Sequence, residues 1–162
     1  MKRLILLVGV PGSGKTTLAQ SLVKKGFERL CADDIRLELY SDAAEQGDAK
    51  EVFAIFFKRL EALLEDENNI VIDNTNIKFD HRQQIIDRAR RSKYTDIQLW
   101  VLDVPLAVCL ERNKKRERQV PEDVITNLFN TLNGRGKPKI EEGQIVIVKA
   151  NEFGQWQFSF PR

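Results

Sequence analysis

With 162 residues, of which 42% are apolar and 31% charged, the chain can bury one sizeable core without disulfides; this excludes a disordered polypeptide and predicts a single domain over residues 1–162. A formal charge of +2 is too small to select for or against a polyanionic partner, so local clusters have to decide. No apolar run approaches the roughly 18 residues that span a bilayer, and the basic start breaks off at Gly9, too early for an export signal. Cys31 and Cys109 stand alone, without a CxxC or Cys/His ligand spacing, which reads as two reduced thiols in a cytoplasmic protein.

In chain order, "RLILLVGV" is an unbroken apolar run closed by glycine, the pattern of a strand buried on both faces of a parallel sheet. "KTTLAQSLVKKG" follows as a helix, with Leu18, Ala19, Leu22 and Val23 as its apolar face and Gly26 as its stop. Residues 27–31 form a short second strand, and "ADDIRLELY" opens a helix with acidic residues where the helix dipole favours them. Apolar residues at 52, 53, 56, 57, 60, 63 and 64 make one stripe of a long helix over 50–65. Strand and helix signals then alternate: "NIVIDN", a helix over 80–91, the strand "DIQLWVLDV", and two helices that Pro105 and Pro121 are placed to start. The second of these carries Val124, Ile125, Leu128, Phe129 and Leu132 on one face. "QIVIVKA" over 144–150 is the last main strand, and the aromatic tail adds an edge strand or a cap. The alternation predicts an α/β fold with a parallel central sheet of about five strands, helices on both faces, and a ligand at the carboxyl ends of the strands.

The first strand and helix are joined by "GVPGSGKTT", in which Gly9, Gly14, Lys15 and Thr16 satisfy G-x-x-x-x-G-K-[ST]. Glycines let backbone amides turn inward around phosphate oxygens, and the helix N-terminus adds its positive end. Gly9, Pro11, Gly12, Ser13, Gly14, Lys15, Thr16 and Thr17 are therefore the predicted binding loop for ATP or another nucleoside triphosphate. Lys15 reaches the β- and γ-phosphates, and the Thr16 hydroxyl is the expected Mg²⁺ ligand. Asp73, at the carboxyl end of an apolar strand, faces the same cleft; it holds Mg²⁺ directly or through water, orients a basic side chain, or only caps a turn. Asn74 and Thr75 follow it as polar residues able to line the cleft.

What receives the phosphate is a separate question. The N-K-x-D base-recognition segment of GTPase switches is missing, the nearest string being "NKKR" at 113–116. A kinase needs a carboxylate beside the acceptor hydroxyl, whose oxygen loses its proton as it attacks phosphorus. Asp33 and Asp34, just after the second strand, are placed for this, although either could cap the helix instead. Arg36, one turn on, either meets an acceptor phosphate or sits on a solvated face. "RNKKRER" over 112–118 sets five cations against one Glu117 between two helix signals, and reads either as a mobile basic lid over 112–120 or as solvated surface. A lid of this kind uses arginine because its planar fork pairs with two phosphate oxygens.

Taken together and in this order, "GVPGSGKTT", "CADDIR", "VIDNTN", "LDVP", "ERNKKR" and "VPEDVI" resemble the kinase domain of bacteriophage polynucleotide 5′-hydroxyl kinase and its RNA-repair relatives, over residues 2–133. The resemblance implies a P-loop kinase fold and transfer of the γ-phosphate to a 5′-OH end of RNA or DNA. It implies Asp33 as general base, with Asp34 the adjacent and less favoured carboxylate, and Arg36 on the acceptor nucleotide's phosphate. Lys15, Arg112 and Arg116 then belong to the donor phosphates, Thr16 and Asp73 to the metal, and Asp73, Asn74 and Thr75 to the substrate cleft. The implied partner is a 5′-OH polynucleotide, with neither a membrane nor an obligate protein partner expected.

The chain departs from the phage enzyme in lacking a D-x-D-x-T phosphatase signature, so action on a 3′-phosphate is not expected. Residues 137–162, the last strand and tail, match no motif. Relatives of the same kinase group act on antibiotics, sugars and aminoacyl-tRNA, which leaves a small-molecule hydroxyl as the alternative acceptor. A non-catalytic ATP-binding regulator is the third reading, disfavoured because a switch needs no base beside the acceptor.

Overall fold

The computed structural model describes residues 2–40 and 48–161. Strands β1 (Arg3–Val8), β2 (Glu28–Leu30), β3 (Ile70–Ile72), β4 (Asp96–Leu102), β5 (Gln144–Ala150) and β6 (Trp156–Ser159) form one sheet in the order β2-β3-β1-β4-β5-β6. The first five are parallel, and β6 pairs antiparallel with β5 as an edge strand. The expected parallel sheet of five strands is present, and the aromatic tail is the edge strand rather than a cap.

The helices are α1 (Lys15–Val23), α2 (Ala32–Tyr40), α3 (Ala49–Glu65), α4 (Phe79–Arg91), α5 (Leu106–Lys114) and α6 (Glu122–Leu132). β1 is apolar throughout because both of its faces are covered. Ile5 and Leu7 pack into a core with α1, α5 and α6, while the alternate residues Leu4 and Leu6 pack with α2, α3 and α4. All four of these side chains are fully buried. Two residues expected on apolar faces are exposed: Val23 at 44% and Val124 at 39%. Each lies beside the stripe that meets the sheet, Val23 at the last turn of α1 and Val124 beside the more buried Ile125, and solitary exposed apolar residues are ordinary.

From β1 the chain builds β2 and β3 on one side, then crosses to build β4 and β5 on the other. The carboxyl end of β1 thus lies at the reversal point, where open α/β sheets bind ligands. The loops after β1, β2, β3 and β5 all reach that end.

Candidate active site

Leaving β1, the backbone turns left-handed at Gly12 (φ 88°) and Gly14 (φ 99°), conformations that side chains resist. Gly12 is also crowded: a Cβ there would come within 2.6 Å of the Cys109 carbonyl oxygen. Gly14 precedes α1 and brings no side-chain cap, so the first amides of the helix are left for an anion. Lys15 folds over the loop, its Nζ donating to the Val10 carbonyl at 3.0 Å. Burial pushes the Lys15 ammonium down to about 8, against the pull of Asp73 and with a further push from Arg116. Ser13 is buried, and its amide closes the turn by donating to the Val10 carbonyl at 3.2 Å.

The loop after β3 ties the site together. The Gly9 amide donates to the Thr75 carbonyl at 3.0 Å, fixing the start of the phosphate loop. Asn74 lines the cleft, but its Oδ1 accepts the Ala32 amide at 2.9 Å, so it caps the first turn of α2 from outside the helix. Asn76 is buried at φ 52° and donates to the Leu7 carbonyl at 2.7 Å. Beneath it, the fully buried Arg82 guanidinium donates to the carbonyls of Asn76 and Ile77, both at 2.9 Å, and to Glu142 at 2.7 Å.

Asp73 is 3% exposed, and its Oδ2 accepts from both Nε (2.8 Å) and Nη2 (2.7 Å) of Arg29. The Thr16 hydroxyl donates to the same oxygen at 3.3 Å. Of the readings open for Asp73, orientation of a basic side chain is therefore realised, by Arg29 of β2. Thr16 beside a carboxylate also fits Mg²⁺, which takes one or two protein oxygens and completes its octahedron with phosphates and water. Arg29 reaches on to Asp34 at 2.6 Å, bridging the two carboxylates.

Asp33 stands at the second position of α2, 52% exposed in its side chain, with Oδ1 held by Arg36 at 2.7 Å and Oδ2 near Arg118 at 3.7 Å. Arg36 braces Asp33 from behind and is not among the residues lining the cleft. Arg118 comes from the basic run, which begins on α5: residues 112–114 are helical and the non-helical part starts at Lys115. The buried Asn113 closes this loop, donating to the Val120 carbonyl at 2.7 Å and accepting the Val120 amide at 2.9 Å. Arg112 instead turns to the phosphate loop, donating to the Gly12 carbonyl at 3.2 Å.

These parts enclose a cleft of about 670 Å³. Lys15, Thr16, Asp33, Asp73, Asn74, Thr75, Arg112 and Arg116 all border it, as do Pro11, Gly12, Gly14 and Thr17, whereas Gly9, Ser13 and Arg36 do not. Arg29, Arg118 and Trp156 border it as well, and the sequence reading did not select them as site residues. For Arg29 the signal was a cation in the short second strand, just ahead of Asp33 and Asp34; for Trp156 there was none.

A family model described as an AAA domain matches residues 4–138. The chain belongs to this family of P-loop kinases. The chain is 26% identical over 145 residues to a protein of Methanococcus maripaludis named L-seryl-tRNA(Sec) kinase, covering 82% of the chain and 53% of that protein. It is 30% identical over 151 residues to a bifunctional polynucleotide phosphatase/kinase of Schizosaccharomyces pombe, covering 88% of the chain and 32% of that protein. Among solved structures, a chain of the Pnkp1/Rnl/Hen1 RNA repair complex superposes with a TM-score of 0.73 at 26% identity, over 82% of this chain and 44% of that one. The chain thus spans about half or less of the length of these proteins. No helix among its described residues is long and apolar enough to cross a membrane.

Proposed function

We propose that the chain is a Mg²⁺-dependent kinase that transfers the γ-phosphate of ATP to a 5′-OH end of RNA or DNA in the cytoplasm. The observation that carries this reading is that a carboxylate oriented by two guanidiniums, Asp33, borders the same cleft as the phosphate-loop Lys15. The similarity to a polynucleotide phosphatase/kinase and to an RNA repair complex supports a nucleic-acid acceptor. So does the ring of arginines around the cleft, which suits a phosphate-bearing substrate.

In this mechanism the acceptor hydroxyl gives its proton to Asp33 as its oxygen bonds to the γ-phosphorus. The bond from that phosphorus to the β,γ-bridging oxygen breaks, and ADP leaves. The loop amides, Lys15 and Arg116 hold the donor oxygens where negative charge builds up. Thr16 and Asp73 would hold Mg²⁺, whose charge would offset that of the donor phosphates. Arg36 and Arg118 orient Asp33, and Arg36 also serves an acceptor phosphate if it swings forward from its present pairing. Arg29 ties Asp34 to Asp73, whereas the guanidiniums on Asp33 come from its own helix and from the loop after α5, and this reading takes Asp33 as the base of the pair.

A test uses γ-labelled ATP with 5′-OH RNA, 5′-OH DNA, 5′-phosphorylated RNA and seryl-tRNA as acceptors. Label on 5′-OH ends alone is the expected result, and Asp33→Ala should lower kcat by about 10²–10⁴-fold while ATP still binds. Label only on seryl-tRNA would transfer the reading to an aminoacyl hydroxyl, in line with the M. maripaludis relative. Full activity of Asp33→Ala would remove Asp33 as the base.

A further inference from the structure

We propose that Trp156 is the platform on which the purine base of the nucleotide donor stacks, with the Arg112 guanidinium as the opposing wall. The inference rests on the donor site of the kinase reading above, and it assigns a role to a segment beyond the family match, which ends at residue 138. After β5 the chain reverses through residues 151–155, where the Asn151 Oδ1 accepts the amides of Phe153 and Gln155, each at 2.9 Å. Trp156 then pairs with Ala150 at the start of β6. This hairpin sets the indole edge against the phosphate loop: a Cβ on Gly14 would lie 3.0 Å from Cη2 and 3.6 Å from Cζ2 of Trp156. The same point is 3.9 Å from Arg112 Nη1. An indole edge and a guanidinium therefore meet at one phosphate-loop residue from two different elements.

Phosphates bound at the loop amides direct the nucleoside outward, past the residues that rim the loop. Among the described residues, Trp156 is the sole aromatic side chain that lines the cleft. The hairpin residues lining it beside the indole, Ala150 and Gly154, are small, which leaves room for a flat ring system. A base between an indole and a guanidinium gains stacking and cation–π attraction without needing hydrogen bonds to its edge. Phe153, Phe158 and Phe160 are more exposed but do not line the cleft.

The discriminating experiment measures binding of ATP and of inorganic tripolyphosphate by titration calorimetry to the whole chain, Trp156→Ala and Trp156→Phe. Trp156→Ala should weaken ATP roughly tenfold and leave tripolyphosphate unchanged, and Trp156→Phe should restore most of the loss. In a Trp100→Phe background Trp156 is the one remaining indole, and its emission should be quenched by ATP but not by tripolyphosphate. Equal weakening of both ligands would mean that the indole only props the loop, and unchanged ATP affinity would overturn the inference while leaving the kinase reading intact. Failure of the unaltered chain to bind either ligand would instead overturn the donor site itself.

Discussion

The two halves of the cleft are built from different materials. The donor half is shaped by backbone, with glycines at φ 88° and 99° and the amides at the start of α1, over which Lys15 folds. The acceptor half is side-chain charge: Asp33, Asp34 and Asp73 are held by Arg29, Arg36 and Arg118, which come from β2, α2 and the loop after α5. A backbone cradle is a local conformation of a few consecutive residues, so it survives when distant parts change. An ion-pair network exists only once several elements have docked. The donor half should therefore tolerate changes at the acceptor half, while both depend on the loop after β3, which bonds to each.

The largest test removes what that loop rests on. Arg82→Ala would strand the Glu142 carboxylate in the core and cost about 3–5 kcal/mol of stability, read as a lower urea midpoint. A loss well under 1 kcal/mol would show that the loop is held without Arg82, and the dependence of both halves on it would fall.

The donor half has a charge signature of its own. With its pKa near 8, Lys15 is partly deprotonated in the free protein at pH 8–9, and bound phosphates raise that pKa. Binding of Mg-ATP, whose phosphates are already ionised, should there take up as much as one proton on Lys15, and at pH 6.5 almost none, measured by calorimetry in buffers of different ionisation enthalpy. The sign for folding follows from the same lowering. Between about 8 and 10.5 the native chain has already shed the proton that the unfolded chain keeps, so the Lys15 contribution to stability rises with pH through that window.

A smaller effect separates the halves. Asn74→Ala removes the cap on α2 and should cost about 1 kcal/mol. It should also lower kcat through a displaced Asp33, with the Kd for ATP unchanged; a weakened ATP affinity would mean that the halves are coupled. Smallest is Arg118→Ala, whose partly exposed pair with Asp33 is worth about 0.2–1 kcal/mol. Its expected mark is a raised acceptor KM that grows less pronounced at high salt.

Much of this was legible in the chain itself. The glycines and Lys15 lie within one short segment, and the parallel sheet declared itself through apolar runs such as residues 4–8 that only two-sided burial explains. Asp33 and Asp73 could be placed at the site because each follows a strand whose carboxyl end must face the ligand. Their partners could not. Arg29 and Asp73 are 44 positions apart, Asn74 and Ala32 42, and Arg118 and Asp33 farther still, and the spacing of side chains along one element carries no information about which distant element it will meet. The same limit explains Val23 and Val124, because helical spacing reports an apolar face without reporting where the sheet beneath it ends.

By itself, then, the sequence determined the element order, the phosphate loop and the family of chemistry, since each depends on backbone conformation or apolar periodicity over a few residues. Tertiary structure alone decided that Asp73 is engaged by Arg29, that Asn74 caps α2, and that Trp156 returns from the C-terminal hairpin to rest on Gly14. Those three contacts join chain segments whose meeting is set by sheet order and packing, and no local pattern encodes them.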